Sequence, residues 1–300
     1  MNNTIYKGDS IRIMEQMKLS GIKVDFSAFS PPFLSLYTYT NLSEDLGNVR
    51  SPNEFFMHLR FFTKALSHII KDGRMTCIHL AQGVETKTSH GKIGLKDVRG
   101  AFIRIFEEYG FTYWGETVID KDPQLVAIRN KTQQLMYGTL KKDALKCRPA
   151  LTDVVLIFKQ KGESEVPVKP VLNNEFNFKR WVKTAHGVWY DITESDVLRL
   201  KDRNGKNKIA YKEGKDTNDE KHLTPTQIPF YERLIQLYSN PNEIVFDPFG
   251  GSGTAAYVAE KLGRNSIICE LKETYQELNE RAAKLGKTER NYMMRTPTLF

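Results

Sequence analysis

The sequence predicts a layered α/β fold that forms one large domain, or one domain with a sizeable insert, in a chain of 300 residues. Two observations favour this fold class. Short apolar runs of strand length alternate with longer segments whose apolar residues recur every three or four positions. In addition, the apolar run that ends at Phe246 leads through a turn with three glycines directly into a helical pattern.

Hydrophobic periodicity predicts the elements of the first half of the chain. Apolar runs predict strands at 24–26, 75–80, 113–119 and 153–158. Helical stripes run from Phe55 to Ile69, with a stop at Gly73, and from Val98 to Tyr109, with a stop at Gly110.

The residue composition and the apolar pattern change at about residue 160. Segment 160–221 is polar, mixes charges and contains isolated aromatic residues, with a turn signal at Asn204-Gly205. We therefore expect an inserted or variable region there. The regular pattern returns after Pro225 and predicts strands at 244–246 and 266–269 and helices at 255–262 and 273–285.

The composition excludes some classes of protein and favours a polyanionic partner. The formal net charge is +8, and seven Lys and Arg stand against two Asp within 121–148. Such a stretch forms either a solvated surface or a binding site for phosphates. No apolar run has the length of a signal peptide or a membrane span, and the three cysteines lack metal-ligand spacing. We expect a cytoplasmic protein with reduced thiols, no membrane association and no metal site.

The clearest candidate site is segment 247–254, DPFGGSGT, between a predicted strand and a predicted helix. Glycines let the backbone turn tightly and approach a ligand, and the helix start offers free N–H groups. Glu270 ends the next predicted strand, where a carboxylate can accept hydrogen bonds from both hydroxyls of a ribose. A phosphate-binding loop would need Lys after the last glycine, but Thr254 follows it. A turn that only packs strand against helix is the alternative, and Asp247 in register with Glu270 argues against it.

A second candidate site is Ser30-Pro31-Pro32-Phe33, just after the strand predicted at 24–26. Paired prolines lack N–H groups and fix φ, so the stiff segment presents carbonyl oxygens and the Ser30 hydroxyl as acceptors. Phe33 adds a flat apolar face. Acceptors for an amino group beside a stacking ring suit a pocket for a base taken out of a duplex. A proline-rich turn with a buried aromatic residue is the structural alternative.

Both segments resemble motifs of the bacterial and phage DNA amino-methyltransferases, which form N4-methylcytosine or N6-methyladenine. The segment 30–33 is similar to their catalytic (S/D/N)PP(Y/F/W) motif, and 247–254 is similar to their DPFxGSGT cofactor motif. Residues 7–9, KGD, resemble an N-terminal element whose aspartate contacts the adenine of the cofactor. Residues 220–230, EKHLTPTQIPF, resemble the motif KHPTQKP, with two inserted residues and Ile228 in place of Lys. The catalytic motif comes first, which is the circularly permuted order of the β class.

The resemblance implies a Rossmann-like methyltransferase fold with a mixed seven-stranded sheet and helices on both faces. It assigns 1–159 to the catalytic half, 160–221 to a variable target-recognition insert and 222–300 to the cofactor half. The implied cofactor is S-adenosyl-L-methionine, and the residues expected to bind it are Asp9, His222, Asp247, Phe249, Gly250, Gly251, Ser252, Gly253, Thr254 and Glu270. The residues expected to act on the target are Ser30, Pro31, Pro32 and Phe33.

The implied reaction is transfer of a methyl group to the exocyclic amino nitrogen of a flipped base in double-stranded DNA. Serine at the first motif position favours N4 of cytosine, and N6 of adenine is the alternative. An RNA or protein amino-methyltransferase and an inactive DNA-binding regulator are more distant alternatives. The residues expected to contact DNA phosphates are Arg129, Lys131, Lys141, Lys142, Arg148, Lys179 and Arg180. A cognate restriction endonuclease and a second copy of the chain are open as partners.

Overall fold

The computed structural model describes residues 3–32, 49, 51–81, 83–85, 91–129, 133–172, 176–202, 204–210, 212 and 225–295. The strands within these residues are β1 Thr4–Lys7, β2 Phe26–Phe29, β3 Met75–Ala81, β4 Gly83–Glu85, β5 Gly94–Lys96, β6 Phe111–Ile119, β7 Asp153–Gln160, β8 Val188–Trp189, β9 Arg199–Lys201, β10 Asn207–Ile209, β11 Ile244–Asp247 and β12 Asn265–Glu270. The α-helices are α1 Ser10–Leu19, α2 Pro52–Ile69, α3 Val98–Glu108, α4 Pro123–Arg129, α5 Tyr137–Leu140, α6 Phe178–Ala185, α7 Ile228–Tyr238, α8 Thr254–Lys261 and α9 Glu273–Arg295.

The main sheet has eight strands in the order β1-β12-β11-β2-β3-β7-β6-β8. Strands β1, β12, β11, β2 and β3 are parallel, and β7 is antiparallel to both of its neighbours. The predicted mixed α/β fold is therefore confirmed. The sheet has one strand more than the expected seven, because the two residues of β8 pair with Val118 and Ile119 at its edge. Strands β4 and β5, and β9 and β10, form separate two-stranded sheets.

Two hydrophobic cores lie on opposite faces of the main sheet, so helices cover both faces as expected. One core joins α1, α2 and α3 to the sheet, and Phe29, Phe62 and Ile78 are among its buried residues. The other joins α7, α8 and α9 to the sheet, with Phe230 and Val258 among its members. Successive strand side chains alternate between the faces, which distributes β2 between the two cores.

Local capping and periodicity explain the helices. For α2, the Ser51 hydroxyl accepts a hydrogen bond from the Glu54 N–H, and Pro52 occupies the first turn. The apolar stripe predicted from Phe55 to Ile69 is the buried face of this helix. The strand predicted at 24–26 lies instead at Phe26–Phe29.

One edge of the sheet gathers the ends of five parallel strands. We call it the carboxyl edge, and its last strand residues are Lys7, Phe29, Ala81, Asp247 and Glu270. Strand β7 runs the other way, so its first residue, Asp153, pairs with Ala81 and Ile119 at this same edge. Ligands of open α/β sheets bind beyond the carboxyl ends of the strands. Among the described helices, none combines the length and hydropathy needed to span a bilayer.

Candidate active site

The glycine turn after β11 is built by backbone hydrogen bonds at the carboxyl edge. The Gly250 N–H donates to the Cys269 carbonyl at 2.9 Å, and the Gly253 N–H donates to the Gly250 carbonyl at 3.0 Å. A Cβ on Gly250 would lie 2.3 Å from Ile268 Cγ2, and one on Gly253 would lie 2.8 Å from the Ala282 Cβ. These two glycines therefore permit close packing of the turn against β12 and α9.

Gly251 has open space on the side where a Cβ would stand, unlike the packed Gly250 and Gly253. It has a φ of +48°, and the nearest described heavy atom to a Cβ built there would be 3.8 Å away. Its φ lies in the left-handed region that favours glycine. A ligand approaching this side of the turn meets backbone rather than a side chain.

Asp247 ends β11 with a fully buried carboxylate. Its Oδ2 accepts a hydrogen bond of 2.7 Å from the Tyr231 hydroxyl, and its Oδ1 accepts one of 2.9 Å from the Phe249 N–H. Burial raises the pKa of Asp247 to about 6, against the opposing effect of these two hydrogen bonds. Sequence reasoning missed Tyr231, because its position on the inward face of α7 depends on how that helix packs.

Glu270 ends β12 with its carboxylate turned toward the glycine turn. Oε2 accepts a hydrogen bond of 2.7 Å from the Gly251 N–H, and Oε1 accepts one of 2.8 Å from the Lys272 N–H. Burial raises the pKa of Glu270 to about 7, and the charge of nearby Asp247 adds to the shift. The structure thus brings together the two carboxyl groups that the motif predicted.

Asp9 lies beside this pair, because the Gly8 N–H donates to the Glu270 carbonyl at 3.1 Å. The Asp9 carboxylate caps α1 by accepting a hydrogen bond from the Ile11 N–H at 3.1 Å. Capping accounts for an aspartate at this position, so contact with an adenine ring stays a prediction.

Ser30 follows β2 and belongs to the same edge. Strands β2 and β11 are neighbours in the sheet. The Phe249 ring of the glycine turn packs on Phe29 with 5.7 Å between ring centroids, and on Phe62 with 5.2 Å. The glycine turn thus packs on Phe29, the residue that directly precedes the motif 30–33.

Three polar residues that sequence reasoning missed continue from Ser30. Ser30 Oγ lies 3.1 Å from His79 Nδ1, and His79 Nε2 lies 2.9 Å from Asp153 Oδ2. Lys121 Nζ lies 2.9 Å from the same carboxylate oxygen. A histidine inside the apolar run 75–81 and an aspartate at the head of the run 153–160 were the available signals.

Other predicted site residues are distributed as follows. Ser252 is buried in the turn, Thr254 is buried at the start of α8, Pro31 is buried and Pro32 is half-buried. Phe33, His222 and Lys131 lie outside the described residues, and for Arg129 only the backbone is described, within α4. Lys141, Lys142 and Lys179 are exposed, while Arg148 and Arg180 are half-buried.

The basic stretch 121–148 is connected to the carboxyl edge at both of its ends. It follows Ile119, the last residue of β6, and precedes Asp153, which pairs with Ile119. Its lysines therefore belong to an excursion from the side of the sheet where Ser30 and the glycine turn lie.

The fold and the site define an α/β protein with a glycine turn and two acidic strand ends at one sheet edge. The sequence model of the N6/N4 DNA methylase family, described as DNA methylase, matches residues 24–281. The chain belongs to this family of DNA amino-methyltransferases, and the family predicted from its motifs is confirmed.

Similar proteins agree with this assignment. The Type II methyltransferase M1.MboII of Moraxella bovis is 27% identical over 286 residues, which cover 91% of this chain and 93% of that protein. The Type II methyltransferase M.HinfI of Haemophilus influenzae is 33% identical over 118 residues, covering 39% of this chain and 31% of that protein.

Solved structures share the fold. The cytosine-N4-specific PvuII DNA methyltransferase superposes with a TM-score of 0.61 at 18% identity, covering 98% of this chain and 93% of that one. TTHA0409 of Thermus thermophilus, assigned as a DNA modification methylase and complexed with S-adenosyl-L-methionine, superposes with a TM-score of 0.64 at 17% identity. That match covers 95% of this chain and 96% of the other.

Proposed function

We propose that the chain transfers the methyl group of S-adenosyl-L-methionine to an exocyclic amino nitrogen in double-stranded DNA, at N4 of cytosine in preference to N6 of adenine. One observation carries the proposal: Ser30 and the glycine turn lie at the same sheet edge, on the neighbouring strands β2 and β11. A reacting-group site and a cofactor site must adjoin for direct transfer between two ligands.

The residues present fit the proposed cofactor. Gly251 leaves the turn open on one side, and the Glu270 carboxylate beside it is a strong acceptor for ribose hydroxyl groups. Asp9, Asp247 and the remainder of 249–254 complete the proposed binding set, with His222 from the segment outside the described residues. When bound, S-adenosyl-L-methionine supplies an electrophilic methyl group. TTHA0409, which shares this fold, was solved with the same molecule.

The chain's own contribution is to hold the target amino group. An amino group inside a duplex is out of reach, so the target nucleotide must leave the base stack. Ser30 Oγ and the carbonyl oxygens of 30–31 then accept hydrogen bonds from the amino group and aim its nitrogen lone pair. Phe33 stacks on the base. Positioning and stabilisation of developing charge supply most of the acceleration.

The preference for cytosine rests on the serine. Ser30 is a neutral acceptor at the position where aspartate or asparagine would favour adenine by resemblance. The PvuII enzyme, which shares the fold, is cytosine-N4-specific.

The exposed lysines of the basic stretch support a DNA path over the carboxyl edge. Lys141 and Lys142 are exposed on the excursion that begins and ends at this edge. We propose that they and Arg129, Lys131 and Arg148 hold phosphates that flank the flipped nucleotide, and that Lys179 and Arg180 on α6 extend this contact.

Incubation with methyl-labelled S-adenosyl-L-methionine and unmethylated duplex DNA tests the proposal. Nucleosides from the digested DNA are then identified by mass spectrometry. We expect N4-methylcytosine, whereas N6-methyladenine would refute only the choice of base. Absence of both from diverse duplexes, together with transfer to RNA or protein, would refute the proposed function.

A further inference from the structure

A partly buried chain of polar side chains leads from Ser30 into the sheet. Ser30 follows β2, His79 lies on β3 and Asp153 begins β7, so the chain crosses three adjacent strands. The His79 imidazole is 6% exposed and the Asp153 carboxylate 18%. His79 is held from the side by the Phe230 ring of α7, with 5.5 Å between ring centroids.

The hydrogen bonds determine which nitrogen of His79 carries the proton. An ionised carboxylate only accepts, so Nε2 at 2.9 Å from Asp153 Oδ2 must donate. In the neutral imidazole Nδ1 is then an acceptor, and Ser30 at 3.1 Å must donate its hydroxyl proton to it. With its one proton engaged, Ser30 Oγ turns lone pairs toward the open side of the site.

His79 and Lys121 together keep Asp153 ionised, which is the form that this arrangement requires. Burial by itself favours the neutral acid, yet His79 and Lys121 hold the pKa of Asp153 below its ordinary value. Asp153 bonds to the imidazole directly, and Lys121 pairs with the same carboxylate oxygen.

We propose that His79 and Asp153 are positioning residues that make Ser30 a pure hydrogen-bond acceptor toward the target amino group and take up the proton which that group loses. The inference rests on the proposed function and gives a role in the reaction to residues outside both motifs.

When the bond between sulfur and methyl carbon breaks and the bond between nitrogen and methyl carbon forms, the amino nitrogen becomes positively charged. It gives one proton to Ser30 Oγ while Ser30 passes its own proton to His79 Nδ1. The base is left neutral and methylated, and the imidazolium is stabilised by Asp153. The proton returns to solvent before the next turnover.

The same arrangement selects the chemical type of base. Lone pairs on Ser30 attract the N–H groups of cytosine or adenine and repel the keto oxygen that thymine presents at the equivalent edge. Once a bound base covers Ser30, a repelled polar group costs more than a merely lost contact, so thymine should be disfavoured.

The first test does not depend on activity. NMR of the ¹⁵N-histidine-labelled protein identifies the neutral tautomer of each imidazole, and His79→Gln assigns the His79 signals. We expect the proton of neutral His79 on Nε2. A proton on Nδ1 would overturn the inference even if the protein methylates DNA.

The second test compares pH profiles of single-turnover transfer at saturating cofactor. Wild-type transfer should fall on the acid side, because protonated Nδ1 donates to Ser30 instead of accepting. His79→Gln should lower the rate about 10²-fold or more at alkaline pH and abolish this acid limb. Asp153→Asn should move the limb to lower pH, since an imidazolium loses its stabilising carboxylate.

His68→Gln is the matched control. His68 lies near the end of α2 at the opposite edge of the sheet, where Gln160 of β7 donates to the adjacent Ser67 carbonyl. Its substitution should leave the profile unchanged. Cofactor affinity and thermal melting check that each variant is folded. A folded His79→Gln protein with the wild-type rate and profile would overturn the inference, whereas a wild-type chain inactive on DNA would refute the proposed function itself.

Discussion

Glu270 Oε2 accepts a hydrogen bond of 2.7 Å from the Gly251 N–H, and this bond joins the end of β12 to the turn after β11. The bond holds a carboxylate in place before any ligand arrives. Burial nevertheless disfavours its charge and raises its pKa to about 7. In the free protein, ionisation of Glu270 therefore lowers the stability of the fold. The ionised carboxylate is nevertheless the form that best accepts hydrogen bonds from a ligand.

Glu270→Gln should change how the stability of the protein depends on pH. Because its pKa is raised, the Glu270 carboxyl group binds its proton more tightly in the folded protein than in the unfolded chain. The stability that this proton contributes is therefore lost as pH rises from the pKa of the unfolded chain through the folded pKa of about 7. The variant has no such loss. Its free energy of unfolding relative to wild type should therefore increase from about pH 5 to about pH 8, by up to about 3 kcal/mol.

The same variant should bind S-adenosyl-L-methionine about 10-fold or more weakly by calorimetry, because hydrogen bonds to a charged acceptor are lost. Glu273→Gln is the control, since Glu273 is exposed and pairs only loosely with exposed Lys7 at 3.4 Å. A difference in stability that does not vary with pH would contradict the raised pKa.

Alanine at Gly250 should mainly reduce stability, whereas alanine at Gly251 should mainly reduce cofactor affinity. At Gly250 the new Cβ meets Ile268 Cγ2 at 2.3 Å, so we expect a loss of about 1–3 kcal/mol of stability from overpacking. At Gly251 only the left-handed φ is strained, at about 1 kcal/mol, while the Cβ occupies the open side of the turn. Thermal denaturation should show that Gly250→Ala is the less stable variant. Calorimetry should show that Gly251→Ala loses more cofactor affinity in proportion to its loss of stability. The reverse ranking would mean that the ligand approaches elsewhere.

Tyr231→Phe should destabilise the protein more at alkaline than at acid pH. The Tyr231 hydroxyl donates to the buried Asp247 carboxylate at 2.7 Å. Without it the ionised form loses a donor, so the folded pKa of Asp247 should rise further above its present value of about 6. Urea denaturation should give a loss of about 1–3 kcal/mol near pH 8 and less near pH 5. Tyr190→Phe, at an exposed tyrosine, should change neither value.

Removing Lys141 and Lys142 together should weaken DNA binding without altering the chemistry. Each phosphate contact that is lost should reduce the slope of log affinity against log salt by about 1. The control is the double alanine variant of Lys64 and Lys161, which are exposed at the opposite edge of the sheet. An unchanged salt slope in the Lys141 and Lys142 variant would remove the basic stretch from the DNA path.

Much of the fold was predictable because apolar periodicity is a local signal. The stripe of α2 and the run of β7 followed directly from it. Strand β8 did not, because two residues carry no periodicity and its pairing with β6 is decided by tertiary contacts.

The site was predictable only where one short segment carries the chemistry. Asp247 and Glu270 are fixed by a turn and by the strand that follows it. The partners of Ser30 come from β3 and β7, 49 residues further along for His79, and β7 runs against both of its neighbours in the sheet. No spacing rule links residues that meet only through sheet order.

The central claim is that Ser30 acts on a DNA amino group beside a cofactor held by the glycine turn. Single-turnover methyl transfer to duplex DNA by Ser30→Ala, measured together with its affinity for S-adenosyl-L-methionine, tests this most directly. We expect transfer to fall by about 10²-fold or more with cofactor affinity unchanged. Transfer at the wild-type rate would contradict the account and remove Ser30 from the reaction.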